Sequence, residues 1–263
     1  MIHDATTVEV AKVLAEHGED LGKISEEVHA KLLGTRYGEA PDISQEDYLA
    51  ARCREFGRAN PEETSKPFWL AMIRCGGSAW HATNLFGDSP FDLEGTTWSY
   101  QRFGRSTTLM PDGRIIEIGG EHEMGSDPDF CIYNDVTVFD GAGGIRIFSY
   151  PAELFPPTDF HTATLVGDAI YIIGCLGYMP QRQAGFTPVY RLDTRSYRIE
   201  PVATRGEMPG WISRHKACLT ADGQIRISGG KQIVMHGEKE DYVANEATYQ
   251  LCLRGMVWQK VAG

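Results

Sequence analysis

The sequence is short of positive charge. Its 263 residues include 25 lysines and arginines against 36 aspartates and glutamates, which gives a formal net charge of −11 at pH 7. Nucleic-acid binding depends mainly on neutralising phosphates, and anionic membrane surfaces likewise attract basic segments. The charge balance therefore argues against nucleic acids and membrane surfaces as partners.

Long apolar runs are missing as well. No stretch approaches the roughly 18 apolar residues that a membrane-spanning helix needs. The first ten residues lack the basic segment and apolar stretch of a secretory signal. We therefore expect a cytoplasmic protein without a membrane segment.

The cysteines are few and scattered, and no two of them form a C-x-x-C pair. This spacing excludes a zinc ribbon and a thioredoxin-type motif. Most of them lie among apolar neighbours, as Cys218 and Cys252 do. We interpret the cysteines as reduced, small core residues.

Several enzyme motifs are also absent. The sequence has no G-x-S-x-G nucleophile elbow, no phosphate-binding P-loop and no G-x-G-x-x-G fingerprint. His122-Glu123 is not followed by the second histidine of an H-E-x-x-H zinc motif. Common hydrolase, nucleotide-binding and zinc-protease interpretations are therefore disfavoured.

Residues 1–95 have the periodicity of helices. Apolar residues recur at helical spacing in 8–21 and 24–33, and Ser44 precedes a third helical segment as a candidate N-cap. The run from Phe68 continues at helical spacing to Phe86 and predicts a further helix. A strand ending at Gly76-Gly77 is the alternative.

Residues 96–263 change to short β-rich runs separated by Gly, Asp and Pro turns. Three segments align with one another, and their equivalent positions Arg105, His161 and His215 are 56 and 54 residues apart. Each repeat has a second apolar run ending in glycine and a third run with an aromatic or apolar residue. The second runs end at Gly119-Gly120, Gly174-Cys175 and Gly229-Gly230.

This pattern resembles the kelch repeat, whose period is about 50 residues. The resemblance implies a mainly β, kelch-like β-propeller in 96–263, with Asp-Gly hairpin turns at 112–113 and 222–223. Arg105 and Cys175 depart from the histidine and the second glycine of the repeat.

Three blades are fewer than the four to eight that typically close a propeller. Three solutions remain open at this point. The first is a ring completed by a degenerate blade, drawn from 97–101 and 69–77. The second is an open arc capped by the helices, and the third is closure by a homodimer.

The densest polar cluster directly follows the first Gly-Gly pair, at 121–129. Its imidazole and carboxylates suit acid–base chemistry or a divalent metal. We name as catalytic candidates Glu121, His122 and Glu123, and as ligand-binding candidates Asp127 and Asp129. The alternative is a solvated acidic loop with turn chemistry.

His161 and His215 occupy the repeated kelch position. The resemblance implies that this histidine orders the blade by hydrogen bonding. If both faced a central cleft with His122, three imidazoles would form a catalytic metal set. All three therefore enter the list of candidate catalytic and metal-binding residues.

Four other residues are candidates for ligand binding: Tyr133, Tyr178, Arg182 and Trp211. Together with Cys131 and Tyr190, the two tyrosines are loosely similar to the tyrosine-rich copper site of galactose-oxidase-like kelch enzymes, although no motif assigns them roles. Arg182 suits an anion, or a packing role.

The leading functional prediction is a recognition module that binds a protein or small ligand through its loop face. The alternative is an unusual enzyme with a His/carboxylate site in those loops and a divalent metal as cofactor. Propellers host both kinds of function, so the fold alone does not decide between them.

Overall fold

The structure is a computed structural model that describes residues 40–88, 95–123, 130–237 and 239–262. In this part of the chain the fold is mainly β, with several antiparallel sheets and few helices. The helices predicted at 8–21 and 24–33 lie outside the described residues.

Three α-helices precede most of the strands. They are α1 (Gln45–Ala51), α2 (Pro67–Cys75) and α3 (Ala79–Phe86). Ser44 caps α1 as predicted, because its side-chain oxygen accepts a hydrogen bond from the Asp47 amide at 3.1 Å.

The helix predicted from Phe68 is confirmed, but it does not run on to Phe86. Gly76 adopts a left-handed conformation (φ 65°) that ends α2, and Ser78 caps the separate helix α3. Because residues 69–75 are helical, the idea that 69–77 supply strands to an additional blade is wrong.

The chain contains nineteen strands in its described part. In chain order they are β1 (Glu62–Thr64), β2 (Ser106–Leu109), β3 (Ile115–Ile118), β4 (Glu121–His122), β5 (Cys131–Ile132), β6 (Val136–Phe139), β7 (Ile145–Ser149), β8 (Thr162–Val166), β9 (Ala169–Ile173), β10 (Val189–Asp193), β11 (Ile199–Pro201), β12 (Arg205–Gly206), β13 (Trp211–Ser213), β14 (Lys216–Leu219), β15 (Ile225–Ser228), β16 (Lys231–His236), β17 (Lys239–Ala244), β18 (Thr248–Cys252) and β19 (Val257–Val261).

Three of the sheets repeat one plan. The first sheet has the strand order β7-β6-β3-β2, the second β11-β10-β9-β8 and the third β19-β18-β15-β14. Within each, four consecutive antiparallel strands form a meander, interrupted only by an insertion. The leading strands β2, β8 and β14 contact one another in sequence. The three aligned sequence segments therefore fold into three equivalent, neighbouring sheets.

Two of these sheets gain an outer strand. β1 pairs with β7 at the edge of the first sheet, and β12 pairs in parallel with β19 of the third. β1 lies in the region predicted to be helical. It is confined between Pro61 and Pro67, which leaves too few residues for a helix.

The predicted Asp-Gly turns join the first and second strands of the first and third sheets. Glycine is required at the ends of these second strands because the backbone of a neighbouring segment lies too close for a Cβ atom. A Cβ on Gly119 would lie 2.3 Å from the Thr158 carbonyl oxygen, and one on Gly230 would lie 2.5 Å from the Ser213 oxygen. Both glycines also have positive φ.

Apolar side chains pack in three successive layers. The helices cover the first sheet, where the Trp69 and Trp98 rings stack at 5.1 Å. A second layer joins the first and second sheets, as in the stack of Phe148 on Tyr197 at 4.5 Å. A third layer, which includes Ile227, packs between the second and third sheets.

The outer face of the third sheet is mostly polar. The register places on this face the polar residues Lys216, Arg226, Ser228, Thr248, Gln250 and Gln259, together with Cys218, Cys252, Val257 and Val261. Every one of these residues is at least partly exposed, whereas the alternate residues of β15 are buried. The stack therefore begins under helices and ends on a hydrated sheet face.

Insertions separate the second and third strands of all three sheets. Insert one spans 121–132 and includes the β4–β5 pair. Insert two spans 174–188 and includes a 3₁₀ helix at Met179–Gln181. Insert three spans 231–244 and is the β16–β17 hairpin, which pairs with β13. In the part of the chain that is described, no helix is both long and apolar enough to cross a membrane.

Candidate functional site

The two repeated histidines lie in the joints between neighbouring sheets. His161 Nε2 is 2.7 Å from Ser106 Oγ, and His215 Nε2 is 2.9 Å from Thr162 Oγ1. In each joint the imidazole of one repeat contacts a hydroxyl group of the preceding repeat. That hydroxyl belongs to the first residue of the preceding repeat's first strand, β2 or β8. Burial lowers the pKa of His161 to about 3 and that of His215 to about 4. Both rings therefore act as neutral hydrogen-bonding groups inside the fold.

A backbone ladder runs beside these joints. The Phe160 amide donates to the Gly104 carbonyl at 2.6 Å, and the Arg214 amide donates to the Phe160 carbonyl at 2.8 Å. All three residues have positive φ, which is uncommon for bulky residues. The Arg214 guanidinium lies 3.3 Å from the centre of the Phe160 ring, and its side chain reaches solvent.

A pair of buried carboxyl groups lies close to this ladder. Glu121 of β4 lies near Asp159, which precedes the Phe160–His161 pair, and the two carboxyl groups interact electrostatically. Asp159 is fully buried, and its Oδ1 accepts a hydrogen bond from the Gly177 amide at 2.6 Å. The contact therefore joins insert one to insert two.

Burial, together with the Asp159 carboxylate, raises the pKa of Glu121 to about 7. Burial also raises the pKa of Asp159, against the opposing effects of the Gly177 amide, Arg182 and Arg214. Both carboxyl groups therefore hold a proton more readily than exposed carboxyl groups do. This is the arrangement in the described residues that most resembles an acid–base site.

The other members of the acidic cluster are divided. His122 is buried, with its Nδ1 3.3 Å from the Gln101 carbonyl oxygen, and Glu123 is exposed. Asp127 and Asp129 lie outside the described residues. Among those that are described, no three His, Cys, Asp or Glu side chains are grouped to hold a metal ion. The geometry thus does not support a shared metal at His122, His161 and His215.

Tyr133 lies in the core of the fold. Its ring is fully buried, and its hydroxyl oxygen accepts a hydrogen bond from the Ser99 amide at 3.0 Å. The Arg102 guanidinium lies 3.5 Å from the centre of the Tyr133 ring and forms a two-pronged ion pair with buried Asp135. These contacts fix segment 97–102 against the first sheet and give Tyr133 a structural role.

Arg105 pairs with Glu117 at 3.2 Å and donates to the Tyr100 carbonyl oxygen. It therefore fills the repeated histidine position with an ion pair inside the first sheet. A small polar cavity lies between this pair and the one formed by Arg102 and Asp135.

The remaining predicted ligand-binding residues connect the inserts. The Tyr178 hydroxyl in insert two accepts a hydrogen bond from the Ile132 amide of insert one at 2.8 Å. Arg182 in insert two donates to Glu240 of insert three at 2.8 Å. Trp211 donates its indole N–H to the Leu176 carbonyl at 2.9 Å. Tyr178, Arg182 and Trp211 thus hold the three inserts together as one surface.

This surface carries exposed apolar side chains. Six of the eleven large apolar residues that are exposed in the described chain lie on the inserts or, for Phe103, on a segment bridged to Glu121. We call these six residues the insert face: Phe103, Phe130, Met179, Phe186, Met235 and Tyr242. Met179 is 65% exposed and Phe103 62%, so neither contributes to the core.

Sequence reasoning missed Asp159, Arg214 and the apolar insert face. Asp159 had a usable signal, because the equivalent positions in the other repeats are Phe103 and Ser213 and neither is charged. The exposure of Met179 or Phe186 has no such signal, since an apolar residue in a loop can equally be packed inward.

No family model matches the sequence, and no curated protein matches it.

Proposed function

We propose that this chain is a kelch-like recognition module, an open arc of three β-propeller blades that binds a protein partner through the insert face. The observation that carries this proposal is the concentration of exposed apolar side chains on three interlocked inserts. Contiguous exposed apolar patches characterise interaction sites, and aromatic and methionine side chains are common interface anchors.

The sequence of the inserts favours a basic partner. Their three sequence ranges contain seven carboxylate residues and three lysines or arginines. Complementary charge steers encounter and fixes orientation, so this acidic composition favours a partner with basic residues beside its apolar ones.

An open arc accounts for both ends of the sheet stack. Each internal joint pairs an imidazole with a hydroxyl, but the corresponding positions at the two ends are Arg105 and Lys216. If the two ends met through the same joint, in a closed ring or in a homodimer, Arg105 would lie against Lys216. Two positive charges would then repel each other. The helices and the polar outer face cover the two ends instead.

The test is affinity capture from an extract of the source cells. The loop variant Met179→Glu/Phe186→Glu is compared with Leu49→Glu/Leu85→Glu, which adds equal charge to comparably exposed residues of α1 and α3. We expect the wild type and the helix variant to retain a stoichiometric partner that the loop variant loses. Equal capture by all three proteins would refute the insert face as the binding surface.

A second candidate function is enzymatic, and the Glu121–Asp159 pair favours it. Two neighbouring, buried carboxyl groups with raised pKa values are suited to general acid–base catalysis. Under this hypothesis, any turnover detected in a hydrolase substrate panel would be lost in Glu121→Gln while the fold is retained. Metal analysis of untreated protein tests the metal-dependent version, which requires a stoichiometric ion.

A further inference from the structure

Insert three has an open sheet edge. β17 is the last strand of the sheet β13-β16-β17, and it pairs with β16 along its whole length. No strand in the described chain pairs with its other edge. An edge of this kind presents backbone N–H and C=O groups to solvent.

The hairpin register shows which groups face outward. His236 and Lys239 are partners in the register with only two residues between them, so they form a hydrogen-bonded pair. Pairs of this kind alternate along an antiparallel ladder. Glu240, Tyr242 and Ala244 therefore direct their backbone groups away from β16. Consistently, the Tyr242 amide donates to the Asp241 side chain at 2.8 Å.

Side-chain contacts with insert two hold β17 in place and leave its outer backbone edge open. Arg182 of insert two reaches the Glu240 carboxylate and the Tyr242 hydroxyl, which anchors the hairpin to the insert face through side chains. The Asp241 carboxylate, which accepts the hydrogen bond of the Tyr242 amide, is exposed. A carbonyl oxygen of an added strand can replace it as the acceptor. The outward groups extend over about 14 Å, at roughly 3.4 Å per residue.

We propose that the partner is held by strand addition, with an extended basic segment pairing along the outer edge of β17. This inference rests on the proposed recognition function and names its mode. The backbone edge supplies the pairing groups. Asp241 is exposed and favours lysine or arginine in the added strand, whereas Glu240 is already paired with Arg182. Exposed Met235 and Tyr242 supply apolar contacts beside the added strand.

The test uses the full chain and a short peptide that alternates lysine with valine. Amide exchange measured by NMR is expected to slow at Glu240, Tyr242 and Ala244 on addition of this peptide. The inward amides of β17 should change much less, and a glutamate–valine peptide should protect none of them. Binding of the lysine peptide without protection of the outward amides would overturn the proposal, as would equal protection by the acidic peptide.

Variants at Ala244 isolate the backbone contribution. Ala244→Pro removes one outward N–H at an exposed edge position, where proline is tolerated, whereas Ala244→Val keeps the N–H. We expect Ala244→Pro to weaken peptide binding about tenfold, the effect of one lost hydrogen bond, and Ala244→Val to bind like wild type. Equal affinity of the two variants would contradict strand addition. The exchange pattern is read on the wild-type chain, so that part of the test does not depend on whether Ala244→Pro folds.

The two proposals fail separately. If the Met179→Glu/Phe186→Glu variant loses the partner while Ala244→Pro keeps it, the recognition face stands and strand addition is wrong. If the loop variant keeps the partner, the proposed function itself is wrong, whatever the peptide does.

Discussion

His215 Nε2 lies 2.9 Å from the Thr162 hydroxyl oxygen and joins the third repeat to the second. The same contact joins His161 to Ser106 one repeat earlier. Because both imidazoles are buried, each contact replaces the water that the ring would otherwise bind. The repeated histidine therefore links neighbouring sheets through a buried hydrogen bond.

We predict that Thr162→Val lowers the free energy of unfolding by about 1–3 kcal/mol, because it leaves the buried His215 ring without its hydroxyl partner. Urea denaturation monitored by circular dichroism measures the change. Thr162→Ser, which retains a hydroxyl, should recover most of the loss. If Thr162→Val and Thr162→Ser lower the free energy of unfolding equally, this hydrogen bond does not stabilise the packing of the repeats.

Two arginine–carboxylate pairs of similar geometry should differ strongly in their contribution to stability. The Arg102–Asp135 side chains are 5% and 7% exposed, whereas Arg146 and Glu63 are each 49% exposed. Arg102→Met strands a buried carboxylate and should cost about 3–5 kcal/mol. Arg146→Met should cost at most about 1 kcal/mol, because water screens that pair. Comparable losses of unfolding free energy would show that burial does not set the difference.

Glu121 should make stability fall as pH rises. Its folded-state pKa of about 7 lies above the ordinary value of 4.5, because burial and Asp159 disfavour the ionised form. The folded protein therefore holds this proton more tightly than the unfolded chain does. That stabilisation is fully present below about pH 4.5 and is lost as pH rises through about 7.

We predict that Glu121→Gln flattens this part of the pH dependence between pH 5 and 8, measured by urea denaturation at each pH. Glu123→Gln removes the same charge from an exposed neighbour, which raises the pKa of Glu121 less than burial and Asp159 do, so most of the pH dependence should remain. An unaltered profile in Glu121→Gln would show that Glu121 does not cause this pH dependence.

His161 and His215 should act in the opposite direction. Their folded-state pKa values of about 3 and 4 lie below the ordinary 6.5, so the stability they contribute is present above about pH 6.5 and is lost as pH falls toward 4. His215→Asn should reduce the loss of stability on acidification in urea denaturation between pH 6.5 and 4. A loss as steep as that of wild type would place the acid sensitivity elsewhere.

The repeats were predictable because one interaction pattern recurs at fixed spacing. Aligned turns, glycine exits and histidine positions are local signals, and Asp112-Gly113 forms the turn that its residues favour. Pairings between distant segments have no local signal. The strand at Glu62–Thr64 exists because β7 offers an edge, and Glu121 meets Asp159 only after insert one folds toward the second repeat.

If the three inserts form a recognition surface, a bound partner should protect them from solvent. Hydrogen–deuterium exchange of the full chain, alone and in complex with the captured partner, measures this protection. We predict that protection is confined to 174–188, 231–244 and the strands β4 and β5. Protection confined to the helices between 45 and 86, or to the polar outer face of the third sheet, would contradict the proposed recognition surface.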